Sequence, residues 1–319
     1  VKKDGRIFDY SSLRASTGIV VPEVKKVMLD RTRKDKERSA HRTSVIYPSE
    51  MSRGDWCLRA TYYRMTGRPL PESKSSFTME NVFAQGNAIH DKWQGWLSET
   101  GKLWGDWRCT RCAEYVKNSL RPGDFFSGSC VGTGWVKMEG TSGHFTRDVV
   151  SSVQDAFPHD WKYKEVTLKS PYLPVSGHAD GALVGHDCLI ELKSLGVGSL
   201  RFEAPRILEQ NTHLVGSRKI VDIDSLWRDF HRPLTSHLKQ GNIYLWMAHE
   251  MGLPFKSISF VYEFKANQQV KEFVVPYSPD IISPIIKDVK NIKAAIDAGI
   301  PPVCPFGGCG QCGAYEKED

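Results

Sequence analysis

The chain lacks any apolar run long enough to cross a bilayer as a helix, and it lacks the basic, apolar and small-residue order of a secretory leader. The expectation is therefore a cytoplasmic chain with no membrane partner. Internal repeats, low-complexity tracts and sustained heptads are absent as well, which sets aside solenoids and coiled coils. Net charge is scarce: 43 Lys and Arg against 37 Asp and Glu leave only +6 over 319 residues. That balance does not describe a protein that is basic over its whole surface.

The positive excess sits mostly in one place. Residues 25–42, KKVMLDRTRKDKERSAHR, hold eight Lys or Arg against three acids. Such a segment can follow a phosphate backbone, or it can be a solvated charged helix. With 40% hydrophobic residues the chain has material for a core of one large or two small domains.

The most specific pattern lies in residues 176–194, SGHADGALVGHDCLIELKS. Asp180 ends one predicted strand in a glycine-rich turn, and Glu191-Leu192-Lys193 lie on the next strand. Alternation along a strand puts Glu191 and Lys193 on one face and turns Leu192 into the core. Two carboxylates from adjacent strands can hold a hard divalent cation, with the lysine beside its water. An ordinary surface charge pair is the competing reading of any single E-x-K. Two amphipathic helices flank the pattern. GNAIHDKWQGWL (86–97) puts His90 and Gln94 at i,i+4, and HLKQGNIYLWMAHEMG (237–252) does the same for Gln240 and Tyr244.

The order helix with His, strand with Asp, strand with E-x-K, helix with Q-xxx-Y resembles the PD-(D/E)XK nucleases, from about residue 50 to the C-terminus. Within them it is similar to the branch of the RecB and AddB nuclease domains and the four-cysteine CRISPR-associated exonucleases, and it would suit a phage-encoded protein in a bacterial host cytoplasm. The resemblance implies an α/β fold with a mixed central sheet flanked by helices. It implies that His90, Asp180 and Glu191 hold Mg2+ or Mn2+, with the Leu192 carbonyl completing the set. Lys193 would be the catalytic lysine, Gln240 and Tyr244 would position the scissile strand, and Glu165 would support the site from behind. The implied activity is DNA hydrolysis to a 5′-phosphate and a 3′-hydroxyl. An exonuclease on single strands or DNA ends is expected, in recombination, repair or CRISPR-adaptation-like processing, with a helicase, integrase or recombinase as partner. The alternatives are a structure-specific or restriction-like endonuclease and a metal-stabilised DNA-binding adaptor subunit.

Eight cysteines in a chain expected to stay reduced point to metal ligands rather than disulfides. Cys304, Cys309 and Cys312 crowd together near the C-terminus in PPVCPFGGCGQCGAY, and Cys57 stands far upstream in SRGDWCLRATYYRMTG. A zinc site and packed thiols are both open readings of these four. The resemblance implies a four-iron four-sulfur cluster that fastens the two chain ends, although the family commonly places the close pair before the later cysteine.

A second group, Cys109 and Cys112 in WRCTRCAEY with Cys130 further on, has the texture of a zinc ribbon. His144 is the first candidate for its fourth ligand and His159 the second, and unliganded surface thiols are the alternative. Cys188 reads as a core thiol. Residues 195–236 mix arginines with Phe202, Trp227 and Phe230, which suits either a single-strand channel or a helical lid. The expected organisation is a basic extension over 1–48, a nuclease core over 49–102 and 147–319, and an inserted ribbon over 103–146. One helix is expected over 49–66, presenting Cys57.

Overall fold

A computed structural model describes residues 20–38, 44–69, 76–124, 135–137, 145–147 and 158–316. The chain divides into two units, Val1–Arg42 with Glu72–Gln85, and Thr43–Pro71 with Gly86–Asp319. In the smaller unit the described part of the basic segment is helix α1 (Val20–Arg38), which carries an exposed Asp30–Arg33 pair at 3.3 Å. The larger unit begins at Thr43.

The larger unit opens with α2 (Pro48–Met51) and α3 (Leu58–Met65), two short helices where one was expected. Cys57 is the N-cap of α3 with an extended backbone, and its side chain is buried among Ala60, Tyr62 and Tyr63 of that helix and the C-terminal cysteines. Helix α4 (Phe77–Glu99) begins in the smaller unit and enters the larger one at Gly86. Next come β1 (Leu103–Cys109), β2 (Tyr115–Leu120), a small antiparallel hairpin of β3 (Trp135–Lys137) and β4 (Phe145–Arg147), and then β5 (Trp161–Tyr163), β6 (Val166–Lys169), β7 (Ser176–Ala179), β8 (Gly181–Leu183) and β9 (Cys188–Leu195). Helices α5 (Val197–Glu203) and α6 (Pro205–Gln210), the hairpin β10 (Thr212–Val215) and β11 (Arg218–Val221), α7 (Ile223–Asp229) and α8 (Thr235–Glu250) lead to β12 (Ser257–Phe264). Strand β13 (Val270–Pro276) and helices α9 (Pro279–Ala298) and α10 (Gly310–Glu316) follow.

The sheet runs β13-β12-β9-β8-β1-β2, with β5 also paired to β1. Among the described strands of this sheet β9 and β12 are the parallel pair, from Cys188 opposite Ser257 to Leu195 opposite Phe264, and the helical crossover through α8 makes that pairing possible. The fold is thus the expected α/β class, a mixed central sheet with helices against it. Strand β1, placed by sequence at the start of the insertion, belongs to this sheet: Leu103 and Trp104 pair with β8, and Trp107 to Cys109 pair with β5. The sequence there, LWGDWRC, mixes apolar residues with Gly105, Asp106 and Arg108, and pattern alone cannot tell such a core strand from the first strand of a ribbon.

Helix α8 lies close on the sheet because it has a glycine where it crosses β12. A Cβ at Gly241 would come within 2.5 Å of the Phe260 ring, so any other residue would push the helix, and Gln240 and Tyr244 with it, off the strand. Trp227 and Phe230, expected as candidate stacking platforms, are core residues 4% and 1% exposed. Trp227 stacks on Phe264 at 5.0 Å and 3°, and Phe230 meets Tyr262 edge-on. Aromatics interleaved with arginines look alike in a channel and on a packed amphipathic helix; here Phe202 alone of the three faces solvent, 88% exposed.

Candidate active site and metal-binding groups

Asp180 occupies the bend between β7 and β8, and β9 runs alongside β8 with Ile190 opposite Gly181. Past that pairing β9 has no β8 residue facing it, so the Leu192 N–H turns to the Asp180 carboxylate and donates to Oδ2 at 2.6 Å. Asp180 Oδ1 lies 3.2 Å from His90 Nδ1 on α4. Gln94, one helical turn on, donates to the Asp180 carbonyl at 3.3 Å. Helix α4 is held against the sheet by Glu263 of β12. This carboxylate is 2% exposed and accepts from Lys92 Nζ at 2.7 and 2.6 Å and from Trp93 Nε1 at 2.7 Å.

Glu191 is 3% exposed and shares its face of β9 with Lys193, as strand alternation requires. Lys193 Nζ donates to Glu191 Oε1 at 2.7 Å and to Gln240 Oε1 at 3.1 Å, and Gln240 Nε2 donates to the Tyr244 hydroxyl at 2.9 Å. The lysine is therefore oriented by a carboxylate and by an amide oxygen, and the amide is held from its other side by the Tyr244 hydroxyl. Burial pushes the Glu191 carboxyl up from its ordinary range, with Lys193 opposing and the Asp180 charge adding. Burial and Asp180 likewise raise Glu165, which sits at φ +64° just before β6 with its carboxyl bonded to Gln94. At His90 burial works against the imidazolium, but the hydrogen bond and charge of Asp180 outweigh it and raise the group.

His90, Asp180, Glu191, Leu192, Lys193, Gln240 and Tyr244 thus meet at one end of the β8–β9 pair. Glu191 Oε2 is buried and, among the described residues, has no hydrogen-bond partner. A stripped carboxylate oxygen beside a second buried carboxylate and the half-buried Glu165 is what a divalent cation would satisfy, so the residues fit one. The three donors are not drawn into a tight ligand set, however: among the described residues, only the two cysteine groups have all their ligand atoms within 4.8 Å of one another. Next to the site opens a cavity of about 350 Å3, lined by His90, Lys193, Phe202, Glu203 and His237 among others. Burial and Lys193 draw the His237 imidazole down to about 3, so it stands neutral with Nδ1 2.7 Å from the Tyr262 hydroxyl.

Cys57, Cys304, Cys309 and Cys312 converge, with all four sulfurs within 4.8 Å of one another. Cys57 Sγ is 3.8 Å from Cys304 Sγ, and Cys309 Sγ is 3.7 Å from Cys312 Sγ. Gly307 and Gly308, at φ +67° and +115°, fold the loop so that the Phe306 and Gly308 N–H groups reach the Cys304 sulfur. Against burial, those N–H groups draw the Cys304 thiol down to about 7, whereas burial pushes Cys57 up to about 12. Thiolates on one tetrahedral ion, at metal–sulfur lengths of about 2.3 Å, stand about 3.8 Å apart, the spacing of the Cys57–Cys304 and Cys309–Cys312 pairs. A four-iron cluster interposes irons and sulfides between its cysteines and would need these sulfurs to spread. Arg59 braces the group by donating to the Pro302 carbonyl at 2.9 Å and to Glu316 at 3.2 Å.

Cys109 and Cys112 are joined by His159, the second of the two histidine candidates, whereas Cys130 and His144 lie outside the described residues. Burial pushes the Cys109 thiol up, but the Cys112 N–H, His159 and further N–H groups bring it down to about 6. Cys188 is 7% exposed, and its thiol is raised by burial, as befits a core residue.

No family model matches the chain, and no curated protein does. Among solved structures it is similar to SSO0001, at 12% identity and TM-score 0.37 over 85% of this chain and 86% of that one. It is also similar to the alkaline exonuclease LHK-Exo of Laribacter hongkongensis, at 14% identity and TM-score 0.27 over 43% of this chain and 57% of that one. Against the same enzyme in complex with dAMP the values are 11% identity and TM-score 0.39, over 83% of this chain and 93% of that one. Likenesses this distant establish neither ancestry nor activity. Among the described residues, no helix is long and apolar enough to cross a membrane.

Proposed function

We propose that the larger unit is a metal-dependent DNA nuclease of the PD-(D/E)XK kind, acting as an exonuclease on single strands or opened ends. The observation that carries this reading is Lys193, held between Glu191 and Gln240 on the strand whose buried carboxylate keeps an unpartnered oxygen. Asp180, Glu191 and His90 would hold Mg2+ or Mn2+, with the Leu192 carbonyl as a further donor. The bound cation supplies Lewis acidity, polarising the scissile phosphate and acidifying a water. An imidazole among the donors tilts the preference toward manganese.

Lys193 has three N–H donors, of which Glu191 and Gln240 engage two. The third is directed to the attacking water or a non-bridging phosphate oxygen, where a fixed ammonium stabilises charge that grows in the transition state. Tyr244 and Gln240 keep that ammonium from swinging away. Exposed Arg201, Arg206, Arg218 and Lys219 supply phosphate contacts along the approach. The four-cysteine group is proposed to hold a structural metal; its spacing favours one tetrahedral ion, with an iron–sulfur cluster as the alternative.

End-labelled linear single-stranded DNA and a closed single-stranded circle, each incubated with Mn2+ or with EDTA, test the reading. Metal-dependent laddering of the linear strand alone is expected, absent in Lys193→Ala. Cutting of the circle would replace the exonuclease with an endonuclease, and metal-independent cutting, or no cutting of either substrate, would overturn the site.

A further inference from the structure

We infer that Cys109, Cys112 and His159 form a zinc site that fastens the β1–β5 edge of the main sheet, with His159 as its imidazole ligand. Their ligand atoms lie within 4.8 Å of one another, and all three side chains are buried or half-buried. Cys112 Sγ is 3.5 Å from His159 Nδ1. Zinc–sulfur and zinc–nitrogen lengths of about 2.3 and 2.0–2.1 Å at a tetrahedral angle put those two atoms about 3.6 Å apart. The observed spacing is therefore that of two ligands on one ion, and a hard cation would not choose two sulfurs.

The surrounding backbone has the shape of a metal knuckle. Cys109 ends β1, Ala113 at φ +61° reverses the chain, and the Ala113 N–H returns to the Cys109 carbonyl at 3.1 Å. The Cys109 N–H donates to the Glu114 carbonyl at 2.8 Å, completing a tight turn around the C-x2-C pair. His159 comes from the other side of a long excursion of chain and is set by three contacts. Its N–H donates to the Asp124 carbonyl at 2.6 Å, its ring stacks on Trp161 at 4.8 Å, and its Nε2 lies 3.6 Å from Glu114 Oε2. A carboxylate thus stands on the side of the far nitrogen while Nδ1 faces the sulfur, the arrangement common behind metal-bound histidines.

The ion would therefore join the end of β1 to the start of β5, where Cys109 already pairs with Trp161. One position of a tetrahedral ion is left for a further donor. The ligand chemistry is two thiolates and one neutral imidazole, which suits Zn2+.

Zinc is measured in the purified full chain and in variants after dialysis against metal-free buffer, always as a difference from wild type so that the four-cysteine group cancels. His159→Ala is expected to lose about one zinc equivalent per chain, and His144→Ala to lose none. Cobalt-reconstituted wild type is expected to show tetrahedral ligand-field bands with thiolate charge transfer, and His159→Cys to keep the ion with a stronger thiolate transition. Wild-type zinc content in His159→Ala, or loss of the ion in His144→Ala, overturns the assignment. Should His159→Ala fail to fold, Cys112→Ser decides: a folded variant that keeps the wild-type zinc content refutes the site.

Discussion

Lys92 of α4 and Glu263 of β12 are joined by a 2.6 Å ion pair that fixes the helix bearing His90 to the strand beside Glu191. Glu263 is 2% exposed, so removing its partner leaves a carboxylate out of water with only Trp93 to satisfy it. Lys92→Met is expected to destabilise the protein by about 2–3 kcal/mol in urea unfolding, below the usual cost of breaking a buried pair because Lys92 is one-third exposed. Cleavage should slow as well, since His90 loses its anchor. Unchanged stability would show that the pair contributes nothing to holding α4.

Lys193→Ala and Asp180→Ala are expected to lower cleavage by roughly 10³-fold or more, the scale of deleting a preorganised charge partner of the transition state. DNA binding by filter retention and the metal content of the cysteine groups should stay at wild-type values. Either variant cutting normally would remove its residue from the site.

Tyr244→Phe keeps the ring and deletes the hydroxyl that accepts from Gln240 Nε2. The Gln240 Nε2 then loses its acceptor and the amide that receives Lys193 is held less firmly, which is expected to cost about 1 kcal/mol, or roughly fivefold in kcat, with KM little changed. A rise in KM alone would point to a contact with DNA instead.

Phe202 is 88% exposed at the rim of the cavity that holds Lys193 and His90. An aromatic there has no core to support, and stacking on a nucleobase is worth about 1–3 kcal/mol. Phe202→Ala is expected to weaken single-stranded DNA binding about 5- to 100-fold at unchanged melting temperature. Arg201→Ala, next to it, should reduce the salt dependence of binding instead.

Cys309→Ala is expected to lower the metal content and the melting temperature together, because capture of the ion is coupled to folding. The visible spectrum of the wild type distinguishes the occupants: a brown chromophore with iron and sulfide means a cluster, and a colourless protein with zinc means a single ion.

Much of this was legible in the sequence wherever pattern and structure share a local cause. Helix α8, strands β12 and β13 and helix α9 follow from periodicity within a few residues, and the E-x-K strand follows from alternation. The convergence of Cys57 with Cys304, Cys309 and Cys312 was suggested by resemblance. What stayed hidden depends on distance in the chain. Nothing local shows that Trp227 and Phe230 face the sheet, that Glu263 reaches Lys92, or that β1 joins β8 rather than a ribbon. His159 stood second to His144 as a candidate, and β1–β5 pairing is what delivers it. Even so, the position of His159 two residues before a strand opening at Trp161 was a usable sign.

Cys57 and Cys304 touch although 247 positions separate them. At about 5–20 residues per second on the ribosome, α3 emerges roughly 12–50 s before the first of its C-terminal sulfur partners. Through that interval Cys57, Tyr62 and Tyr63, all buried in the finished protein, stay uncovered. Assembly of this corner is thus a late event of synthesis, and under the proposed metal site the supply of metal at that moment would set how long a newly made chain remains open to chaperones and proteases.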